Sequence, residues 1–354
     1  MIRGQIYHPR EVRANIVVGQ LERMVARRKS ENRSPKSEVN PKPEIRKKPK
    51  KYQPDFCFGL RIFFLPSDFW FLVSGFVLLT SLVGCDKHTP VATTQPAAPT
   101  IASLVPAATD LIVGMGARDR LVAVSTYDSV DALPKAGNYD SINWELLRSL
   151  HPSVLVTEIS PDRQSPGFKS NCSNFRIQPV NITIEKLDDI FSALDQLGDA
   201  VKEPQLAAAA RQKMRGRLDK LKNQFANEKP IRTLIVIDPA GDAVVGPGTF
   251  LDDLLKIAGG VNVVSPAMGH WPTIDREKLL ALKPDVILQL LPSATPQERE
   301  QARATWKQLL QIPAVAAGRV YPIYDRYALT PGWYVPDLAE QFASDLHPEE
   351  PHTR

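Results

Sequence analysis

The sequence predicts an α/β protein: two βαβ lobes joined by a single long backbone helix, with a ligand cleft between the lobes. Three observations predict it. The stretch NWELLRSLHPSVLV at 143–156 returns 132 residues later in closely similar form as DREKLLALKPDVIL at 275–288. Short aliphatic runs alternate with helix-like segments in both halves, the grammar of right-handed βαβ units. Between the halves, Pro204 to Glu228 carries no strand signal and is rich in helix formers.

The elements follow in chain order. Residues 1–84 form a basic leader with 16 Lys+Arg and 7 Asp+Glu, a balance of +9. Its first part is charged, proline-rich and poor in aromatics, so it is expected to be disordered. Residues 69–83, FWFLVSGFVLLTSLV, are a 15-residue apolar run, short for a membrane span and right for a signal-peptide core. It ends in LVGC, which resembles a bacterial lipobox with Cys85 as the acylated residue. A leader this long is unusual for a signal peptide, so translation is expected to start near Leu60. Residues 85–100 are a Pro/Thr/Ala tether.

The N-terminal lobe spans 101–182, with strands at IASLVP, LVAVS, VLVTE and FRIQPVNI. In both copies of the repeat a small polar residue, Asn143 or Asp275, is a good N-cap, and Pro152 or Pro284 ends the helix. The strands that follow are continuous apolar runs, which suits a parallel sheet covered on both faces. The bridge spans 183–230. Met214, Leu218, Leu221 and Phe225 line one face of its single helix, Pro204 to Glu228, and about 25 residues make a rod of roughly 37 Å. The C-terminal lobe, 231–346, repeats the grammar with TLIVID, VNVV, VILQLL and RVYPIYD, closing on a helix from Pro336 to Leu346. Residues 347–354 are a tail.

Composition narrows the function. The net charge of +5 on 354 residues resides in the leader; the remaining 28 basic and 32 acidic side chains give −4, which argues against a nucleic-acid partner. Of three cysteines, Cys57 is removed and Cys85 acylated, so Cys172 has no partner and is expected to be a structural thiol. Five histidines in the mature chain, three of them in tether or tail, are too few for a bare zinc or manganese site. VVGPGTFLDD lacks the spacing of a phosphate-binding loop, and no G-x-S-x-G elbow occurs, so no enzyme is expected. Gly246 and Gly248 are instead expected to make a turn that lets Thr249 cap the next helix.

Across about residues 101–346 the chain resembles the extracytoplasmic substrate-binding proteins of ABC importers for iron-siderophores, haem and cobalamin. The resemblance rests on IASLVPAATDLIVGMGARDRLVAVSTYD, on both copies of the repeat, and on VVGPGTFLDDLLKIAGGVNVV. It implies a permease dimer with its ATPase subunits as partner, and a small-molecule metal chelate as cargo rather than a resident cofactor. It also implies that Glu145 and Glu277, one per lobe, pair with permease arginines, which accounts for the repeat: a two-fold transporter meets the same helix start twice. The cobalamin-binding member gives the closest local matches, implying that Tyr127, Tyr139, Trp271 and Asp325 line the ligand cleft. His270, beside Trp271, offers an axial ligand to a chelated metal. Where the family often carries a basic residue before the last helix, this chain has Trp333, which weakens the case for an anionic siderophore. The expected function is capture of cobalamin or another corrinoid by a membrane-anchored lipoprotein. The alternatives are a ferric siderophore or haem and, from another class, a surface scaffold that only borrows the fold.

Overall fold

A computed structural model describes residues 98–348 except 131, 139 and 160–163. The leader, Cys85 and most of the tether lie outside the described residues, as does most of the tail.

Two parallel four-stranded sheets carry the same topology. In the first, β1 (Ile101–Ser103), β2 (Leu121–Ala123), β3 (Val154–Thr157) and β4 (Gln178–Asn181) run in the order β2-β1-β3-β4. In the second, β5 (Ile231–Val236), β6 (Gly260–Asn262), β7 (Val286–Leu290) and β8 (Val320–Ile323) run in the order β6-β5-β7-β8. Register is set by Ile101 opposite both Leu121 and Val154, and by Thr233 opposite Asn262 and Val286. The uninterrupted apolar runs became the inner strands β3 and β7, buried along their whole length. The edge strands β4 and β8 are partly exposed, and each contains a proline, which an edge tolerates.

Helices connect the strands: α1 (Pro106–Gly114), α2 (Trp144–Leu150) and α3 (Phe168–Phe175) in the first lobe. The bridge holds two helices, α4 (Leu187–Ala200) and α5 (Pro204–Gln224), packed on each other. The second lobe adds α6 (Phe250–Ile257), α7 (Arg276–Leu282), α8 (Pro296–Lys307), the short α9 (Pro313–Ala316) and α10 (Val335–Leu346).

The repeat folds as one device used twice. Asn143 Oδ1 accepts from Leu146 N at 3.0 Å, and Asp275 Oδ1 from Lys278 N at 2.8 Å. Each helix then stops at a left-handed residue, His151 (φ 49°) or Lys283 (φ 45°), directly before the proline. The prolines therefore follow the stop, and the left-handed C-cap makes it. Thr249 caps α6 through Asp252 N at 3.2 Å. Gly248 holds φ 82°, and a side chain at Gly246 would strike the Gly269 carbonyl, so that turn needs both glycines.

The bridging helix α5 is 21 residues, about 31 Å, four residues shorter than the helix-former run. It ends where Phe225 leaves the helical path to stack on His347, ring centroids 4.1 Å apart. Met214, Leu218 and Leu221 are buried on its inner face. At its start Glu203 accepts from Arg120 of the first lobe at 2.7 Å. Near its end the Arg217 guanidinium donates to Asp337 and Glu340 of α10 at 2.7–3.2 Å. The start of α4 is tied to the second lobe through Leu187 N on Asp253 and Phe250 N on the Glu185 carbonyl. One hydrophobic cluster runs through both lobes and the bridge, including Leu111, Leu194, Met214, Leu254 and Phe342, and each lobe adds a smaller cluster of its own. Such a joint resists large hinge motion, because opening it would expose packed apolar surface.

Arg217 is about one-third exposed and its partners about half. Its fork is accordingly expected to contribute about 1 kcal/mol, and Arg217→Ala to lower Tm by roughly 2–4 °C. A melt unchanged in 0.1 M salt would show that the fork contributes nothing.

Candidate functional site

In each lobe strand order reverses between the two inner strands, and ligand crevices in open α/β sheets form beyond the carboxyl ends of strands at such points. The loops leaving those ends face one another here. They enclose a cavity of about 270 Å³. From the first lobe come one face of α1 and the loop after β2, Tyr127 to Val130. On α1 the helical period divides the side chains: Ala107, Ala108, Leu111 and Ile112 enter the core, while Pro106, Thr109, Asp110 and Val113 face the cavity. From the second lobe come Pro292 and Ser293 after β7, and Arg326, Tyr327, Leu329, Thr330 and Tyr334 after β8.

The walls are aromatic. Tyr327 and Tyr334 stack with centroids 4.0 Å apart and planes 18° from parallel, and Tyr127 stands on the opposite lobe, its hydroxyl accepting from Asn138 Nδ2 at 3.2 Å.

Two carboxylates share this cavity. Asp128 Oδ2 accepts from Thr109 Oγ1 at 2.9 Å and from Ser125 N at 3.1 Å. Asp110 Oδ2 accepts from Trp333 N at 2.5 Å, a hydrogen bond from the second lobe to the first. Burial raises both to about 6, against opposing hydrogen bonds; for Asp110 the nearby Asp128 charge adds to the rise. Burial also pushes the Tyr327 hydroxyl up to about 12. The cations sit around these groups. Lys135 Nζ donates to the carbonyls of Asp128 and Val130 at 2.8 and 3.1 Å. The Arg326 guanidinium lies 4.4 Å from the centre of the Tyr327 ring, bonds the Tyr327 hydroxyl, and reaches Ser129 Oγ across the lobes at 3.4 Å.

Trp333 serves the joint. A side chain at Gly114 would strike its ring, and one at Gly332 would strike the Asp110 carboxylate. Both glycines thus let the second-lobe loop press against α1.

The residues singled out in the sequence are placed unevenly. Tyr127 lines the cavity. Tyr139 lies outside the described residues. Asp325 is exposed, its Oδ1 accepting from Tyr327 N at 2.7 Å, and it lines a neighbouring depression that shares Tyr327 and Tyr334. His270 is exposed with Nδ1 2.7 Å from the Pro247 carbonyl; a carbonyl only accepts, so Nδ1 donates in this contact. Trp271 is half-buried against the shared core. Neither it nor His270 is part of the cavity wall. Glu145 and Glu277 are exposed in the first turns of α2 and α7. Cys172 is buried, and burial raises its thiol pKa. Sequence reasoning missed Asp110, Asp128, Arg326, Tyr327 and Tyr334. The signal for Asp110 was present: a lone acid inside an apolar helix, one turn from Pro106 and Val113, marks a face that is neither core nor open surface.

Comparison with known proteins agrees with this architecture. Residues 101–327 match the periplasmic binding protein family. Vitamin B12-binding proteins of Yersinia pseudotuberculosis (serotype O:3, strain YPIII) and Yersinia pestis (strain Pestoides F) are 27% identical over 224 residues, covering 62% of this chain and 78% of theirs. The periplasmic haem-binding protein of Vibrio cholerae superposes with a TM-score of 0.62 at 23% identity, over 71% of this chain and 99% of that one. The periplasmic vitamin B12-binding protein of the same organism gives 0.58 at 23% identity, over 70% and 96%. At such identities the structural matches speak for the fold. The match of more than half the sequence, from the first strand of one lobe to the cavity loop of the other, makes this chain a member of the periplasmic binding protein family.

Proposed function

We propose that this protein is the extracytoplasmic substrate-binding lipoprotein of an ABC importer, capturing a metal chelate of the corrinoid class in the inter-lobe cavity and delivering it to the permease. The observation that carries the reading is the cavity itself: aromatic faces from both lobes with half-buried acceptors between them, at the carboxyl ends of both sheets. Flat rings suit a large, partly apolar macrocycle, and acceptors suit its amide rim. Relatives described as vitamin B12-binding support the corrinoid over the alternatives, a ferric siderophore or haem.

In this reading Cys85 carries the lipid anchor, the tether lets the domain stand off the membrane, and Glu145 and Glu277 meet the two permease subunits. Two or three acyl chains at about 0.8 kcal/mol per buried CH₂ hold the protein to the membrane, so Cys85→Ser should move it to the soluble fraction.

The ligand is tested by titrating purified protein with cyanocobalamin, cobinamide, haem and a ferric hydroxamate, following tryptophan fluorescence and visible absorbance. Saturable quenching by a corrinoid is expected, weakened about tenfold in Tyr127→Ala, roughly 1.4 kcal/mol. Binding of the iron compounds alone would replace the corrinoid with haem or siderophore. Binding of none would favour the scaffold reading.

A further inference from the structure

We propose that the cavity wall formed by Asp128 and Asp110 reads hydrogen-bond donors on the ligand, so that a macrocycle rimmed with neutral carboxamides is taken in preference to one bearing carboxylates. This rests on the corrinoid reading above and adds the rule by which the cleft chooses among related macrocycles.

Geometry gives the direction. Both side-chain hydrogen bonds to Asp128 end on Oδ2. Asp128 lines the cavity, and its second oxygen, Oδ1, is not a buried atom without a partner, which leaves it as the acceptor available to a ligand there. The charged groups about the pair are Lys135, which acts on Asp128, and Arg326 from the second lobe, which acts on Asp110. Lys135 directs its ammonium to two backbone carbonyls, and Arg326 is held on Tyr327 and Ser129. An acceptor beside a second carboxylate repels an incoming carboxylate and is satisfied by an amide N–H; built repulsion of this kind discriminates better than added attraction. Both carboxyls titrate near pH 6, so the preference should be strong at pH 7.5 and fade at pH 5.

The test compares cyanocobalamin with its mono-acids, in each of which one peripheral amide is hydrolysed, by titration at pH 7.5 and 5. For the unaltered protein, cyanocobalamin is expected to bind about tenfold tighter than at least one mono-acid at pH 7.5, with the gap narrowing at pH 5. In Asp128→Asn, Thr109 and Ser125 hold the amide oxygen in the place of Oδ2, which turns the NH₂ into the cavity and replaces an acceptor by a donor. The preference should vanish or reverse, a change that a merely structural Asp128 would not produce. Equal affinity for the amide and acid forms in the unaltered protein would overturn the donor rule while keeping the corrinoid reading. So would an unchanged preference in Asp128→Asn. Failure of the unaltered protein to bind any corrinoid would overturn both.

Discussion

Reversing both exposed glutamates, Glu145→Arg together with Glu277→Arg, is expected to reduce ligand uptake by cells to background while leaving the affinity of the purified protein for its ligand unchanged. Both side chains stand in the first turn of a helix whose N-cap is closed by a neighbouring Asn or Asp, so neither glutamate is needed for the cap. A cation there opposes the helix dipole by about 0.3–1 kcal/mol per site, too little to unfold a domain with a core this continuous. In the proposed docking on permease arginines the same change would replace two attractions by two repulsions, and like charges across an interface cost several kcal/mol. Either single reversal should leave partial uptake, and arginine-to-glutamate changes on the permease should restore it in the double variant. Ligand affinity lost along with uptake would show that these residues serve more than docking.

The fold was legible because periodicity and punctuation reported the same thing twice. Continuous apolar runs marked β3 and β7 as inner strands, and the polar starters Asn143, Asp275 and Thr249 proved to be working caps. The cavity was harder to read, for a physical reason. Its charged groups find partners distant in sequence: Asp110 is held by Trp333 N, 223 positions away, and Arg326 by Ser129 at a separation of 197. A window of a dozen residues marks Asp110 as a lone acid within a largely apolar helix, but it does not show the partner that holds it. Asp325, singled out in the sequence, closes its own turn on Tyr327 N and lines the depression beside the cavity. The bridge length also depended on tertiary contact: helix formers continue past Gln224, and the Phe225–His347 stack ends the helix.

Asp110→Asn and Asp128→Asn are each expected to stabilise the ligand-free protein at pH 7.5 and to leave it unchanged at pH 4. In the folded chain burial lifts both carboxyls from an ordinary value of 3.8 to about 6, so between those values the native state binds more protons than the unfolded state. Stability from these groups is therefore complete below pH 3.8, and is lost as pH rises towards 6. Two pKa units correspond to at most ~3 kcal/mol; partial solvent access and the mutual coupling of the pair reduce this to about 2 kcal/mol for each substitution. Asparagine keeps an oxygen to accept from Trp333 N or from Thr109 and Ser125, so the hydrogen bonds survive while the charge is removed. For a domain of this size the gain is about 4–8 °C in Tm, measured as the difference between variant and parent melts at each pH. A gain equal at pH 4 and 7.5 would show that charge burial is not its source. The expected pattern has a functional meaning. Two carboxylates kept ionised at neutral pH in the cavity cost stability that a hydrophobic filling would have provided, and under the proposed donor rule a ligand offsets that cost by supplying the donors. Ligand binding should accordingly raise Tm more in the parent than in either variant, linking the instability of the empty cleft to its readiness to bind.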